Sequence, residues 1–577
     1  MQVYTAPLRD MRFVLNELHQ DDGFGGLSVH EEFTQDLTDA VLEEAAKICQ
    51  DVLLPINLSG DSEGCQYENG VVHTPKGFKE AYDQFVQGGW GGLVMPVEYG
   101  GQGLPEAVGK LVEEMICATN VSFSLYPGLT AGAVTALNAY ASEELKAAYL
   151  PKMISGEWSG TMNLTEPHCG TDLGLLRTKA DPVGDGSYKL TGSKIFISAG
   201  EQDLTSNIIH LVLARLPDAP KGVKGISLFL VPKFLPDADG NPGARNGVRA
   251  SGIEHKMGIK ASATCQMQFD DAIGWLVGEP HRGLEAMFTM MNAERVGVGI
   301  QGLGIGEAAY QSAVWYAKDR LQGRSLSGAK YPDKPADPII VHPDVRKNLL
   351  TMRAYNEGCR ALGAWVARGL DAERHAADPE VRQRAEDFVA LMTPVVKALF
   401  TDLGHDSASL AVQVYGGHGY IHESGVEQYQ RDARIAMIYE GTNGIQALDL
   451  VGRKMGAHMG RLLRSFFHPV SAFIEENKGE GPMQKMIEGL EKAFGALQLS
   501  TATIAEKGMK DPEEAGALSA WPIALPKPPR SRACNCSSAR RTRRFTKPRS
   551  RPRPSSLKRS CRRRPPISWP SRRARAR

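Results

Sequence analysis

One glutamate stands where the sequence suits acid–base chemistry. Glu440 directly precedes the glycine-containing run GTNG at 441–444, and a second run, GGHG, occupies 416–419. Each run interrupts a helical pattern, and glycine lets backbone amides approach a ligand closely. A carboxylate beside such a break suits a general base next to a bound cofactor. The alternative is an ordinary pair of helix ends with a solvated glutamate, and spacing alone does not separate the two.

Helical patterns surround a central block of strands. Apolar residues recur at helical spacing in the first part of the chain, and Leu37, Val41, Ile48 and Val52 mark one such face. The spacing predicts helices at 9–18, 36–54, 79–86, 106–125, 129–140 and 142–154.

The period then changes to two. Stretches rich in Ile, Val, Phe and Thr predict strands at 159–164, 187–199, 208–216, 225–233 and 265–278. Helix resumes at Gly283 and continues to about residue 510, with a proline-rich loop at 330–344 and a helix end at Asp378-Pro379.

The order helix, strand, helix indicates an α+β multidomain protein rather than an alternating βαβ fold. A chain of 577 residues can form several domains, each with its own core. The predicted divisions are an N-terminal helical domain at 1–157, a middle β domain at 158–280, a C-terminal helical domain at 281–465, a truncated helical extension at 466–516 and a basic tail at 517–577.

Composition narrows the functional classes. The chain has no run of about 18 apolar residues, and its start lacks a signal-peptide pattern, so we expect a cytoplasmic protein without a membrane span. Its nine cysteines show no metal-binding spacing, which predicts reduced thiols and no metal site.

The tail differs from the rest of the chain. Residues 515–577 contain 20 of the 67 Lys and Arg residues and none of the 66 acidic residues, so residues 1–514 have 47 basic against 66 acidic side chains, a net charge of −19. A body this acidic is not a nucleic-acid binder. The Arg/Pro/Ser-rich tail has three interpretations: a nucleic-acid-binding arm, a disordered solvated tail, or translation of a GC-rich gene in a shifted frame, which the abrupt change of composition favours.

Several motifs resemble those of one enzyme family. YGGHGY at 415–420, RDAR at 431–434 and YEGTN at 439–443 resemble, in this order, the C-terminal signature of the acyl-CoA dehydrogenases. The glycine-rich loop at 90–103 resembles their N-terminal loop, although a tight structural turn also explains it. The resemblance covers about residues 1–510 and is strongest to a larger bacterial branch of the family.

The resemblance implies a fold, a reaction and partners. The fold has an N-terminal helical domain, a β-barrel-like middle domain and a C-terminal four-helix bundle. The reaction is α,β-dehydrogenation of an acyl-CoA thioester to the trans-2-enoyl-CoA, with FAD as hydride acceptor, in fatty acid β-oxidation. Electron-transfer flavoprotein as electron acceptor and a homodimer or homotetramer are also implied. An acyl-CoA oxidase of similar fold, or a nucleic-acid-binding flavoprotein relative, are the alternatives.

By the same resemblance, individual residues acquire roles. Glu440 matches the base that removes the α-proton, and Glu294 matches the site where a minority of the family carries it instead. Glu294 is also explained as a helix-face glutamate paired with a basic residue. Substrate contacts are implied for Arg295, Tyr439 and Gly441. FAD contacts are implied for Met162, Leu164, Thr165, Gly170, Thr171, Phe196, Ser198, Arg320, Gln413, Gly416, Gly417 and Thr442.

In the resemblance, Arg320 reaches the FAD of a neighbouring subunit. Phe196 replaces the more common tryptophan, and a role as a core aromatic is its alternative. The usual aromatic shortly after Arg320 is missing, which puts adenine contacts across the interface in doubt.

Overall fold

The first part of the protein is helical. The computed structural model describes residues 2–18, 24–25, 27, 33–479 and 481–518. A small hairpin of β1 (Gln66–Glu68) and β2 (Val71–His73) is inserted among the helices. The helices are α1 (Leu8–Phe13), α2 (Gln35–Ile48), α3 (Asn57–Glu63), α4 (Phe78–Gln87), α5 (Glu106–Tyr140) and α6 (Glu143–Ile154).

Local sequence sets the limits of these helices. Thr34 accepts a hydrogen bond from the backbone of Leu37 at the start of α2, and Ser142 does the same for Leu145 in α6. Short 3-10 turns at Trp90–Gly92 and Val97–Tyr99 shape the glycine-rich loop between α4 and α5.

A seven-stranded sheet forms the middle of the chain. The strands are β3 (Trp158–Asn163), β4 (Lys179–Pro182), β5 (Ser187–Ser198), β6 (Asn207–Ala214), β7 (Ser227–Pro232), β10 (Val248–Ile253) and β11 (Thr264–Val277), and β8 (Phe234–Pro236) pairs with β9 (Pro242–Arg245) outside this sheet. The strand order in the sheet is β3-β6-β7-β11-β5-β4, with β10 paired to β11; only the pair β3 and β6 is parallel. β6 and β7 lie at the centre of the sheet and are buried along their whole length.

Helices return after the sheet. At the start of the helix Pro379–Tyr415, Asp378 accepts a hydrogen bond from the Glu380 backbone N–H. Pro379 occupies the first helical position, where its missing N–H costs nothing. The helices are α7 (Gly283–Asp319), α8 (Pro343–His375), α9 (Pro379–Tyr415), α10 (Val426–Ala436), α11 (Asn443–Asp449), α12 (Arg461–Glu476), α13 (Gln484–Lys510) and α14 (Pro512–Leu518).

The α+β prediction is confirmed, and one helix prediction is wrong. The break expected between helices at 106–125 and 129–140 is in the wrong place, because the chain is helical through Pro127. The kink lies instead at Asn120 (φ −158°, ψ 87°), whose side-chain oxygen accepts the Phe123 backbone N–H. The strands β4, β8, β9 and β10 and the hairpin were not predicted, because strands this short are not long enough to show a clear period in the sequence.

Glycines on α7 bring three long helices into close contact. An added Cβ at Gly302 would lie 2.5 Å from the Phe400 carbonyl oxygen of α9, and one at Gly304 would lie 2.7 Å from the Glu114 carbonyl oxygen of α5. An added Cβ at Gly404 of α9 would lie even closer to the Gly302 carbonyl oxygen. Side chains at these points would hold the backbones apart, so the distance between α7 and its two neighbours depends on them.

A buried ion cluster joins the same helices. Arg360 of α8 donates to both carboxylate oxygens of Glu114 on α5 and, at 3.0 Å, to Glu307 on α7. All three side chains are buried, so each charge depends on its partners. The cluster fixes the order of α5, α7 and α8 around one point.

The C-terminal helices keep apolar side chains in contact with solvent. On α13, Met486, Leu499 and Met509 are 70%, 71% and 81% exposed. Residues 519–577 lie outside the described residues, so the interpretation of the tail stays a prediction, as do the domain limits. None of the helices in the described part of the chain has the length and apolar character that a membrane span requires.

We expect Gly302→Ala to destabilise the protein, because its Cβ would overlap backbone rather than a movable side chain. The free energy of unfolding should fall by about 2 kcal/mol or more, since overpacking outweighs the higher helix propensity of alanine. Chemical denaturation measures this.

Gly358→Ala on α8 is the matched control. An added Cβ there meets nothing within 4 Å, so this variant should gain about 0.5–1 kcal/mol from helix propensity alone. Equal effects of the two substitutions would contradict the close packing of α7 on α9.

Candidate active site

Glu440 lies on a strained turn between α10 and α11. Its φ is +54° and that of Gly441 is +84°, so both residues have left-handed backbone. For a residue with a side chain this conformation costs about 1 kcal/mol or more, and it persists only where the surroundings enforce it. The turn ends at Thr442, whose hydroxyl accepts the Ile445 backbone N–H and caps α11. The predicted glycine-marked helix start is therefore present directly after Glu440.

Buried polar side chains hold this turn. Gln446 donates to the carbonyl oxygens of Glu440 (2.9 Å) and Gly441 (3.2 Å). Lys397 of α9 donates to the Gly441 carbonyl oxygen (2.8 Å) and to Oδ1 of Asn443 (2.9 Å). Hydrogen bonds from two helices thus compensate for the strained backbone.

The Glu440 carboxyl group is half-buried among charged neighbours. Burial raises its pKa to about 7, while the positive charges of Arg295 and Lys397 oppose that rise. A pKa near neutrality suits a group that must accept and release a proton at ordinary pH.

Glu294 is a second carboxyl group in the same region. Burial, with the charges of Glu440 and Glu113, raises its pKa to about 8, and Lys110 opposes the rise. Its carboxylate fills a notch in α5, because an added Cβ at Gly132 would lie 2.6 Å from Oε1. Because the charge of Glu440 raises the pKa of Glu294, Glu294 is the member of the pair that keeps its proton to the higher pH.

Two further predicted residues lie beside this pair. Tyr439 donates a hydrogen bond to Oε1 of Gln301 on α7. Arg295 is buried and donates to Asn292 at 3.3 Å, while its Nε has no hydrogen-bond partner among the described residues. A buried guanidinium with an unused donor can take a polar substrate group.

The sheet supplies a second set of predicted residues. The Ile195 backbone N–H donates to the Thr165 carbonyl oxygen, and the Thr161 hydroxyl donates to that of Ser198, so the end of β3 lies beside β5. Met162 and Leu164 belong to the same stretch and are partly buried.

A buried ion pair locks these two segments. The Glu166 carboxylate accepts from Lys194 Nζ at 2.9 Å and from the Thr178 hydroxyl at 2.6 Å. Thr165 precedes Glu166, and Phe196 follows Lys194 by two residues, so the pair fixes their relative position.

Phe196 fits a flat ring system better than a protein core. It is 60% exposed with φ +58°, so its role as a core aromatic is wrong. An exposed apolar ring beside partly buried Thr165 and Ser198 suits the face of an isoalloxazine. Gly170 and Thr171 are exposed in the loop that follows β3, where a phosphate can approach them.

The third set of predicted residues lies at the far end of α7. Arg320 follows α7 directly, and Tyr316, one turn earlier, stacks on Tyr415 at 4.1 Å, which brings Arg320 near the end of α9. That end carries the remaining predicted residues, all exposed: Gln413, Gly416 and Gly417. Along a helix with a rise of 1.5 Å per residue, Arg320 is about 39 Å from Glu294. This set therefore lies apart from the glutamate pair within one chain.

A cavity of about 820 Å³ is lined by residues close to Glu294 in the sequence, but by neither glutamate of the pair. Its wall includes Asn292 and Ala293, the neighbours of Glu294, and Thr135 and Lys110 of α5. Apolar side chains from the loop at 94–104 and charged ones from α8 and α9, among them Asp371, Arg374 and Glu386, complete it. A partly open space of this size suits the binding of a small organic group.

Sequence reasoning missed three residues of this site. Lys397 and Lys110 lie in helical patterns where lysine is ordinarily exposed, and Gln301 lies in the glycine-rich part of α7. A lysine inside the apolar run VALMTPVVKALF was the one available signal.

Two carboxyl groups of raised pKa on the helical side and an exposed aromatic side chain on the sheet are both present in the described residues. Comparison with known proteins identifies the family. Models of the acyl-CoA dehydrogenase N-terminal, middle and C-terminal domains match residues 35–157, 161–272 and 281–455. The chain belongs to the acyl-CoA dehydrogenase family, so the resemblance seen in the sequence is confirmed.

Individual relatives support the predicted branch. The chain is 45% identical to 3-methylmercaptopropionyl-CoA dehydrogenase of Ruegeria pomeroyi, over 89% of this chain and 87% of that protein. It is 38% identical to a butyryl-CoA dehydrogenase of Syntrophomonas wolfei, over 82% and 79% of the two chains. The structure of butyryl-CoA dehydrogenase from Megasphaera elsdenii matches with a TM-score of 0.60 and 26% identity, covering 73% of this chain and 98% of that chain.

The raised pKa of Glu440 predicts a pH-dependent stability. The folded carboxyl group (pKa about 7) holds its proton more tightly than the unfolded one (about 4.3), so its contribution is complete at low pH and is lost as pH rises through 7. The side chain of the Glu440→Gln variant is neutral at every pH. The unfolding free energy of the variant minus that of the parent should therefore rise by about 2 kcal/mol between pH 5.5 and 8.5. Denaturant titrations at both pH values measure it.

Asp337→Asn is the control. The Asp337 carboxylate accepts backbone hydrogen bonds and pairs with Arg324, which lower its pKa to about 2, so this variant should lose stability by an amount that is the same at both pH values. A constant or negative difference for Glu440→Gln would contradict the desolvated carboxyl group.

Proposed function

We propose that Glu440 is the base that removes the α-proton when this enzyme converts an acyl-CoA thioester to the trans-2-enoyl-CoA. The observation that carries the proposal is a half-buried carboxyl group with a pKa of about 7, placed on an enforced turn between two cations. Such a group is ionised often enough to accept a proton and is still basic enough to hold it.

The backbone of the same turn supports a second role. Among the described residues, no acceptor takes the Glu440 backbone N–H. This N–H is available to the thioester oxygen, where negative charge develops as the α-proton leaves. Gly441 has no side chain that would cover this N–H. Tyr439 lies on the segment after α10 and Arg295 on α7, both close to Glu440, which supports substrate contacts for all three residues.

FAD is the cofactor that the family and the sheet residues support. Met162, Leu164, Thr165, Phe196 and Ser198 would hold the ring, and Gly170, Thr171 and Thr442 the adjoining phosphate and ribityl region. When bound, FAD supplies the acceptor for the β-hydride. The residues of this chain contribute orientation, exclusion of water and the proton transfer at Glu440.

The distance along α7 supports a homo-oligomer. Arg320, near Gln413, Gly416 and Gly417, lies about 39 Å along α7 from Glu294, one of the two carboxyl groups of the candidate site. We therefore assign them to the adenine end of the FAD held by a second copy, in a homodimer or homotetramer. Electron-transfer flavoprotein is the proposed electron acceptor; rapid peroxide release on reduction would instead favour the oxidase alternative.

The substrate class follows from the relatives and the cavity. The Ruegeria pomeroyi and Syntrophomonas wolfei proteins are named for 3-methylmercaptopropionyl-CoA and butyryl-CoA. We propose a short acyl-CoA of this size, with 3-methylmercaptopropionyl-CoA first among those to screen. The polar cavity residues Thr135, Asn138 and Asn292 fit an acyl group with a heteroatom better than a long alkyl chain.

Anaerobic bleaching of the bound flavin by the best acyl-CoA of the screen tests the base. Glu440→Gln keeps size and hydrogen bonding but removes basicity, so bleaching should slow by about 10²–10⁴-fold or more while acyl-CoA binding persists. Glu294→Gln, the matched neutralisation on α7, should act weakly. The reverse pattern would make Glu294 the base, and parent rates in both variants would end the proposed mechanism.

Mixed oligomers test the placement of Arg320. Glu440→Gln and Arg320→Ala should each lower activity, the latter through loss of FAD. If Arg320 serves the partner's site, hetero-oligomers of the two variants contain sites with both native residues and regain activity. Hetero-oligomers that remain as inactive as the separate variants would place Arg320 and Glu440 in service of the same chain's site or remove Arg320 from the site.

A further inference from the structure

We propose that Lys397 is a positioning residue for the base: from α9 it fixes the turn at 440–443 and keeps a positive charge behind the Glu440 carboxylate. The inference rests on the proposed role of Glu440. It concerns a residue outside the strand and loop motifs that suggested the function.

Lys397 is buried although neither of the acceptors that its ammonium group bonds is charged. The side chain is fully buried, and its Nζ donates to two uncharged acceptors, the Gly441 carbonyl oxygen and Asn443 Oδ1. Removing an ammonium group from water without a directly bonded carboxylate is costly, so a glutamine or methionine would satisfy a purely structural need more cheaply. The charge itself therefore requires an explanation.

The turn supplies one part of the explanation. Asn443 also bonds Thr401 (3.0 Å) and Asp402 (2.8 Å) of α9, so Lys397 completes a network that ties the turn to one helix. Gly441, the residue after the base, is the acceptor at the centre of this network. Any movement of α9 relative to the turn would break several hydrogen bonds together.

The charged surroundings of Glu440 supply the other part. From α7 it faces Glu294 and Arg295, from α9 Lys397 with Asp402 behind it, and on its own segment Tyr439. The charge of Glu440 raises the pKa of Glu294, so Glu294 stays neutral while the base ionises, and Arg295 also interacts with Asp449. Lys397 is thus the second cation that favours the ionised base before proton transfer.

Lys397 also limits the pH range. Burial lowers its pKa to about 8, with Glu440 opposing. Above that pH its charge is lost, and the base loses that support. In turnover the proton passes from the substrate α-carbon to Glu440, and the Lys397 charge then favours its release to solvent.

The test compares full-length holoenzymes with two readouts. Lys397→Gln keeps a donor and removes the charge, Lys397→Met is a second neutral variant, and Thr401→Val removes one bond to Asn443 while leaving the charge. The first readout is titration of Glu440 by NMR of ¹³C-carboxyl-labelled glutamate, assigned by its absence in Glu440→Gln. The second is the rate of anaerobic flavin bleaching from pH 6 to 9.

With the charge removed, the Glu440 titration should move up by about one pH unit or more, as expected for loss of a nearby opposite charge. Bleaching at pH 7 should fall about fivefold or more, because the ionised fraction of the base falls with this shift, and should recover as the pH is raised, which a loss of structure alone would not produce. Thr401→Val should leave the titration at the parent value.

Unchanged titration in either neutral variant that folds would overturn the inference, as would a rate loss that no pH restores. If no acyl-CoA bleaches the parent, the proposed function fails. The carboxyl titration, which needs no substrate, still decides whether Lys397 controls Glu440.

Discussion

Close contact between α7 and its neighbours α5 and α9 is the constraint on which the rest of the structure depends. Gly302 and Gly304 allow backbone to meet backbone, and no larger residue fits there without moving a helix. α7 carries Glu294 and Arg295, and α9 carries Lys397, so the helix separation sets the distances within the charged site. The close packing of these helices therefore sets the distances between charged groups on which the pKa values of the site depend.

The site combines features that each cost stability. A left-handed glutamate, a buried lysine and two carboxyl groups of raised pKa are all unfavourable singly. They persist because the surrounding helices are fixed elsewhere, by the Arg360 cluster and by the apolar core. This division between a stable frame and a strained site is typical of enzymes.

The sequence predicted much of the fold because the long elements have strong periods. β5 and β11 were located within one or two residues, and Glu440 was found from its motif. The kink at Asn120 was missed because neither proline nor glycine causes it; a side-chain hydrogen bond does. Lys397 was missed because a buried lysine contradicts the general preference on which sequence reasoning rests. The roles predicted for residues at the far end of α7 stay predictions, because the sequence of one chain does not specify contacts with a second copy.

The left-handed backbone at Glu440 has an evolutionary consequence. Glycine adopts that conformation freely and would also remove the buried charge. Replacement by glycine would therefore be downhill in folding energy, so a glutamate at 440 is kept by selection for something other than stability. A gene copy released from that selection would lose Glu440 early and keep its fold.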